Sequence, residues 1–115
     1  MQIKLTECPR DAMQGLDAFI PTELKAKYIN AILKVGFDVV DFGSFVSHMA
    51  IPQLKDTVDV LNLLDLSETK SKLLTIVANE RGASEAVEFE SIDILGFPFS
   101  VSEKFQLRNT NVTRL

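Results

Sequence analysis

Residues 73–79 read "LLTIVAN". The run is short, almost wholly apolar and shows no polar–apolar alternation. A strand of that kind is buried on both faces, which is the situation of a strand inside a parallel sheet. Its neighbours fit that setting. "SETKSK" (67–72) is a polar turn leading in, and "ERGASEAVEFE" (80–90) is a short helix leading out, with Ala83, Ala86 and Val87 inward and Gly82 weakening its start. Further upstream, "FDVVDF" (37–42) is rich in β-branched and aromatic residues and reads as another strand. "QIKLTE" (2–7) alternates and reads as a first strand, and "SIDILGFPFS" (91–100) as a fourth.

Helical segments lie between these strands. Thr22 is a good N-cap for a helix whose Leu24, Tyr28, Ile32 and Val35 share one face, and Gly36 supplies its stop. "DAMQGLDAFIPTE" (11–23), with Gly15 and Pro21, reads as the loop before it. After the long connection "GSFVSHMAIPQLKD" (43–56), Asp56 can cap a second helix with Val60, Leu61 and Leu64 on one face. The order β-α-β-α-β-α-β predicts an α/β fold with a parallel sheet covered by helices and right-handed crossovers. Two architectures use it. An open doubly wound sheet fits this length, whereas a (β/α)8 barrel needs eight strands and typically about 250 residues. Both place ligands at the C-terminal ends of their strands.

The totals narrow the function classes. The 115 residues suit one small domain, and 46% hydrophobic with 24% charged residues is ordinary for a globular protein. A net charge of −4 without a basic block is a poor match to nucleic acid or to an anionic membrane, and neither is expected as a partner. One cysteine, Cys8, excludes an intrachain disulfide. "MQIKLTE" lacks a signal-peptide core, and no apolar run approaches the ~20 residues of a membrane span. A cytoplasmic protein is the expectation.

The strand ends carry the candidate chemistry. Arg10 and Asp11 follow the first strand in "CPRDAMQG" (8–15). An aspartate there can bind a hard divalent cation, and an arginine can stabilise a developing enolate with fixed donors. Read alone, an Arg-Asp pair in a loop is usually a solvated ion pair. Asp41 ends the second strand and Ser44 follows it in a turn, so Asp11 and Asp41 would converge on one mouth. Asp41 capping the Gly43–Ser44 turn is an equally good account of it. His48, the one histidine, has no ligand motif around it, and Cys8 reads as a packing residue. Asn79, Ser102, Glu103, Asn109 and Asn111 read first as caps and turns. There is no G-x-G-x-x-G or Walker-type loop, which disfavours nucleotide binding after strand one.

Taken together, these segments resemble the hydroxymethylglutaryl-CoA lyase family. "ECPRDAMQG" resembles its G-P-R-D-G-L-Q motif, and "DFGSFVSHMAIPQLKD" its E-x-x-S-F-V-S-P-K and V-P-Q-M-x-D segment. "VSEKFQLRNTN" resembles its S-E-x-F-x-x-x-N-x-N segment. The resemblance implies the N-terminal half of a (β/α)8 TIM barrel. It implies a metal-dependent carbon–carbon lyase that cleaves 3-hydroxy-3-methylglutaryl-CoA to acetyl-CoA and acetoacetate with Mg2+ or Mn2+. It assigns Arg10 and Asp41 as catalytic, Gln14 and Ser44 as substrate-binding and Asp11 as a metal ligand. It also implies an acyl-CoA substrate and a homo-oligomer in the full-length enzyme. Three departures stand out: Ala12-Met13 for Gly-Leu, Asp41 for Glu, and His48-Met49 for Pro-Lys. The family's H-x-H ligands and its later catalytic cysteine have no counterpart in these 115 residues, so residues 1–115 are expected to be a partial barrel, incomplete at the C-terminus and inactive alone. The alternatives are an inactive half-barrel, a small doubly wound binding domain, or a related acyl-CoA-dependent aldol-type synthase.

Overall fold

Four strands lie side by side in chain order, all parallel, in a computed structural model that describes residues 2–100. They are β1 (Thr6–Glu7), β2 (Val39–Ser44), β3 (Lys72–Ile76) and β4 (Ile94–Gly96). Between them run α1 (Pro9–Gln14), α2 (Thr22–Leu33), a 3-10 turn (Pro52–Leu54), α3 (Thr57–Asn62) and α4 (Glu80–Ala86). The order 1-2-3-4 never reverses. A doubly wound sheet needs a reversal to create its ligand crevice. A sheet that advances by one strand per β-α unit is the pattern of a barrel wall, so the doubly wound alternative is set aside. The Ser102, Glu103, Asn109 and Asn111 of the "VSEKFQLRNTN" match lie outside the described residues.

The helices cover one face of the sheet. Ile29 and Leu33 of α2 and Val60 and Leu61 of α3 pack with Val40, Phe42 and Leu73 in one core cluster. A smaller cluster of Phe45, Val77 and Ala86 sits under α4. Side chains alternate across a strand, so Leu74 and Ile76, lying between buried Leu73, Thr75 and Val77, point away from the helices and are only half-buried.

Several local expectations change. α2 buries Lys25, Ala26, Ile29, Ile32 and Leu33, while Leu24, Tyr28 and Val35 are exposed. Two apolar stripes compete on this helix, and the one chosen by the core contains a lysine, which hides it from a hydrophobicity pattern. Lys25 Nζ donates to the Gln53 carbonyl and to Asp56 Oδ1 at 2.7 Å, and Thr22 Oγ1 donates to Asp56 Oδ2 at 2.7 Å. Thr22 and Asp56, both expected to cap helices, are thus spent on each other, and neither α2 nor α3 has a side-chain cap. Pro9–Gln14, which overlaps the expected loop at residues 11–14, is helical with proline in its first turn. β1 and β4 are shorter than their apolar patterns, and Val87 is exposed.

Candidate active site

Arg10 is the centre of a polar cluster at the C-terminal ends of β1 and β2. α1 begins immediately after β1, which lifts Arg10 over the mouth of the sheet. Its Nε donates to Asp41 Oδ1 at 3.2 Å and to Oδ2 at 3.1 Å, and its Nη2 donates to Oδ2 at 2.7 Å. Nη1 donates to Gln14 Oε1 at 2.8 Å, one helical turn along. This is a side-on, bidentate carboxylate–guanidinium pair, the geometry that fixes an arginine in orientation as well as position. A guanidinium carries five N–H donors, and the Nε–H, one Nη1–H and one Nη2–H are engaged here. Among the described residues, one N–H on each terminal nitrogen makes no hydrogen bond, with Asp11 Oδ1 3.7 Å from Nη1.

The two aspartates play different parts. The Asp41 side chain is 5% exposed and the Asp11 side chain 76%. Burial raises the Asp41 pKa above the ordinary carboxylate value, and the hydrogen bonds and charge of Arg10 oppose that rise. Asp11 touches Arg10 only at 3.7 Å and otherwise faces solvent. The two carboxylates expected to meet at one mouth therefore meet through the guanidinium. Cys8 is half-buried and free, and burial, with the negative charge of Asp41 next, pushes its thiol up, which makes it a poor nucleophile.

A bulge aims the second strand. Asp41 pairs with Leu74 and Ser44 with Ile76, while Gly43 pairs with Thr75 and Phe42 is the extra residue. A regular strand would send positions 41 and 44 to opposite faces. The bulge puts Asp41 and Ser44 on the same side as Leu74 and Ile76, away from the helices. Gly43 takes the helix side, where an added Cβ would lie 2.6 Å from Thr57 Cγ2. Ser44 is thus the last residue of β2 and not part of a turn. Its backbone N–H donates to Thr57 Oγ1 at 3.2 Å, and its buried hydroxyl has no partner among the described residues.

Gln53 is a site-supporting residue that sequence reasoning left without a role. It accepts from the Ile20 N–H at 2.8 Å and donates to the Leu16 and Ala18 carbonyls at 3.1 and 2.8 Å. These bonds staple the loop that follows α1, and so anchor the element carrying Arg10 and Gln14. The only sequence signal was its place in "PQLKD".

Asp11 offers exposed carboxylate oxygens of the kind that suit a hard cation, but a divalent ion of this kind takes about six ligands. No group of three or more His, Cys, Asp or Glu able to hold a metal occurs among the described residues. Asp41 is committed to Arg10. These residues fit one corner of a metal site and do not make a whole one.

Parallel strands that advance one per β-α unit, with an arginine–carboxylate cluster at their C-terminal ends, define the class: a fold of the β-α barrel type. The relatives give the particular kind. The chain is 35% identical over 115 residues to a mitochondrial hydroxymethylglutaryl-CoA lyase of Arabidopsis thaliana, covering 96% of this chain and 24% of that protein. It is 30% identical over 110 residues to a cytoplasmic 3-hydroxy-3-methylglutaryl-CoA lyase of Rattus norvegicus, covering 95% of this chain and 32% of that one. A solved HMG-CoA lyase from Acinetobacter baumannii, in complex with coenzyme A and 3-methylmalate, superposes with a TM-score of 0.90 at 31% identity, covering 96% of this chain and 36% of that chain. No protein-family model matches the chain. The chain spans about a quarter to a third of the length of the curated relatives it matches. The resemblance to HMG-CoA lyases and the TIM-barrel type of fold are both borne out by these relatives. Among the described residues, no helix is long and apolar enough to cross a membrane.

Proposed function

We propose that this chain supplies the arginine side of a carbon–carbon lyase site that cleaves 3-hydroxy-3-methylglutaryl-CoA to acetyl-CoA and acetoacetate. The observation that carries the reading is the pre-oriented Arg10, held by Asp41 and Gln14 at the mouth of β1 and β2, in a sequence similar to HMG-CoA lyases along nearly its whole length. In that reaction the 3-hydroxyl loses its proton and becomes the ketone of acetoacetate as the C2–C3 bond breaks. The bonding electron pair passes to the thioester and gives the enolate of acetyl-CoA, which then takes a proton on carbon. Charge develops on the thioester oxygen, and the two N–H groups of Arg10 that make no hydrogen bond among the described residues are suited to receive it. Removing one fixed donor of this kind costs roughly 10²–10³ in kcat.

In this reading Asp41 acts through Arg10 as a positioning residue, because its carboxylate is turned to the guanidinium and not to the mouth. Gln14 holds the other edge of Arg10, and the Ser44 hydroxyl, without a partner among the described residues, is a hydrogen-bonding group for substrate on the inner face. Asp11 would be one ligand of a Mg2+ or Mn2+ ion, which, when bound, would lower the pKa of the substrate hydroxyl. The remaining ligands would come from outside the described residues. A cytoplasmic setting, an acyl-CoA substrate and a homo-oligomeric full-length enzyme complete the reading.

The test is a chimera. Residues 2–100 replace the matching segment of the Arabidopsis relative, and cleavage of 3-hydroxy-3-methylglutaryl-CoA is assayed with added Mg2+ or Mn2+. Turnover that falls at least a hundredfold in the Arg10→Met chimera is the expected result. A folded chimera without turnover, or one indifferent to Arg10→Met, would refute the assignment.

A further inference from the structure

Ser44 reaches the side of Asp41 only through the bulge in β2, and two buried threonine hydroxyls grip that bulge from the helix side. Asp41 and Ser44 are three residues apart, as are Phe42 and Phe45. A regular strand splits residues at an odd spacing between its two faces. In the fold both phenylalanines are buried in the helix-side clusters, and Asp41 and Ser44 face the other way. Phe42 is the extra residue, with Gly43 opposite Thr75 and Ser44 opposite Ile76.

The hydroxyls take the backbone groups that follow the extra residue. Thr75 Oγ1 donates to the Gly43 carbonyl at 2.9 Å. Thr57, which opens α3, accepts from the Ser44 N–H at 3.2 Å through Oγ1 and donates its own hydrogen to the Leu54 carbonyl at 2.8 Å. A hydroxyl has a single hydrogen, so the bond to Leu54 leaves the Thr57 lone pairs for Ser44. Thr57 Cγ2 would lie 2.6 Å from a Cβ added at Gly43, and only glycine lets the threonine come this close. Thr75 is 0% and Thr57 5% exposed, so a backbone group that loses either hydroxyl finds no water in its place. Every one of these groups lies between positions 41 and 76, inside the layer between β2, β3 and α3.

We propose that Thr57 and Thr75 are positioning residues for Ser44: their hydroxyls hold the bulge, and the bulge sets the Ser44 hydroxyl on the same side of the sheet as Asp41. Without them, Val39, Val40 and Asp41 keep their partners, since Asp41 is tied to Arg10. β2 then becomes regular downstream. Phe42 comes opposite position 75, Gly43 opposite Ile76, and Ser44 turns to the helix side. The consequence for substrate rests on the lyase reading, in which the Ser44 hydroxyl meets it; the strand device does not.

Two measurements separate these parts. In the 115-residue chain, interstrand amide–Hα contacts in NMR read which residues of β2 stand opposite positions 75 and 76. Thr57→Val and Thr75→Val keep the shape and remove the hydroxyl, whereas Thr57→Ser and Thr75→Ser keep the hydroxyl. The expected result is a pairing shifted by one residue beyond Asp41 in both valine variants, and the parent pairing in both serine variants. Folded valine variants with the parent pairing overturn the proposal. So does a parent Ser44 amide that exchanges with deuterium as fast as an open loop, a result that needs no variant to fold. In the chimera with the Arabidopsis relative, the valine variants should raise KM about tenfold, the worth of one lost hydrogen bond, with kcat within about threefold. The serine variants should restore KM. A loss of stability alone moves the urea midpoint and not this split. A KM that responds to Ser44→Ala but not to the valine variants overturns the proposal. A chimera without turnover, or a KM indifferent to Ser44→Ala, refutes the lyase reading of Ser44, while the NMR pairing still decides the role of the threonines.

Discussion

Asp56→Ala should be the most damaging single truncation outside the hydrophobic core. Lys25 is 2% exposed and Asp56 7%, so their ion pair is shielded from water. The ammonium has three donors: one goes to Asp56, one to the Gln53 carbonyl, and the Nζ also lies 4.1 Å from the centre of the Phe19 ring. Without Asp56, a buried charge keeps one neutral acceptor and a ring face, and the Thr22 hydroxyl loses its acceptor as well. Removing one partner of such a pair costs about 3–5 kcal/mol. With a urea m-value of about 2 kcal/mol/M, the midpoint should fall by about 2 M at unchanged m. Lys25→Met should cost a similar amount, because it strands the carboxylate with Thr22 alone. The double variant Lys25→Met/Asp56→Leu removes both charges and should recover to within about 1 kcal/mol of the parent, since apolar replacements of buried pairs are often neutral. Urea unfolding followed by circular dichroism, at one fixed protein concentration, reads all four corners of the cycle. A midpoint shift below about 0.5 M for Asp56→Ala would refute the reasoning. So would a double variant whose loss equals the sum of the two singles, because the charges would then be independent.

Gly82→Ala should destabilise by about 1–3 kcal/mol, because the new Cβ meets the rigid Phe45 carbonyl. Gly15→Ala, with nothing within 4 Å of the added atom, should be neutral or slightly stabilising in the same unfolding assay. Asn79→Ala removes the acceptor that caps α4 through the Gly82 N–H at 2.9 Å and should cost about 1 kcal/mol by the same measurement. Asp41 should titrate above the ordinary carboxylate range, and Arg10→Met should raise it further by deleting the partner that opposes burial. With the folded pKa above the unfolded one, the folded state holds the extra proton between the two values. Asp41's contribution to stability is therefore full below the unfolded pKa and lost as pH rises through the folded one. Carbon-detected NMR of the side-chain carboxyl reads this directly, and a lower Asp41 pKa in Arg10→Met would contradict it.

The layer order was legible because its signals are local and strong. "LLTIVAN" lacks alternation for the reason that appears in the fold: Leu73, Thr75 and Val77 are buried against helices, while Leu74 and Ile76 line the other face. The faces of α2 were not legible, since the core admits Lys25 only through Asp56 and Gln53, which lie 31 and 28 residues away in the chain. The same distance problem hid the caps: Thr22 and Asp56 are good capping residues locally, and a tertiary partner outbids the helix end for each. Gly82 reads as a weak helix start in sequence, whereas in the fold it is where α4 comes closest to the Phe45 backbone. α1 was missed because six residues ending before a glycine carry too little period to recognise.

Asp41 is one methylene shorter than the glutamate of the motif it resembles, and in the fold its partner is the arginine. Arg10 extends from α1 across to β2, and its guanidinium meets the Asp41 carboxylate at 2.7 Å through Nη2. The bulge at Phe42 completes this by keeping Asp41 on the open face while the strand still delivers Ser44 to the same side. What burial takes from Asp41 as a free base, by raising its pKa, it returns as a fixed counter-ion. The pair is 15% and 5% exposed, so Arg10 cannot swing to solvent without leaving a buried carboxylate behind. A guanidinium held this way needs no reorganisation when charge develops in front of it, which is the property an enolate-stabilising donor requires.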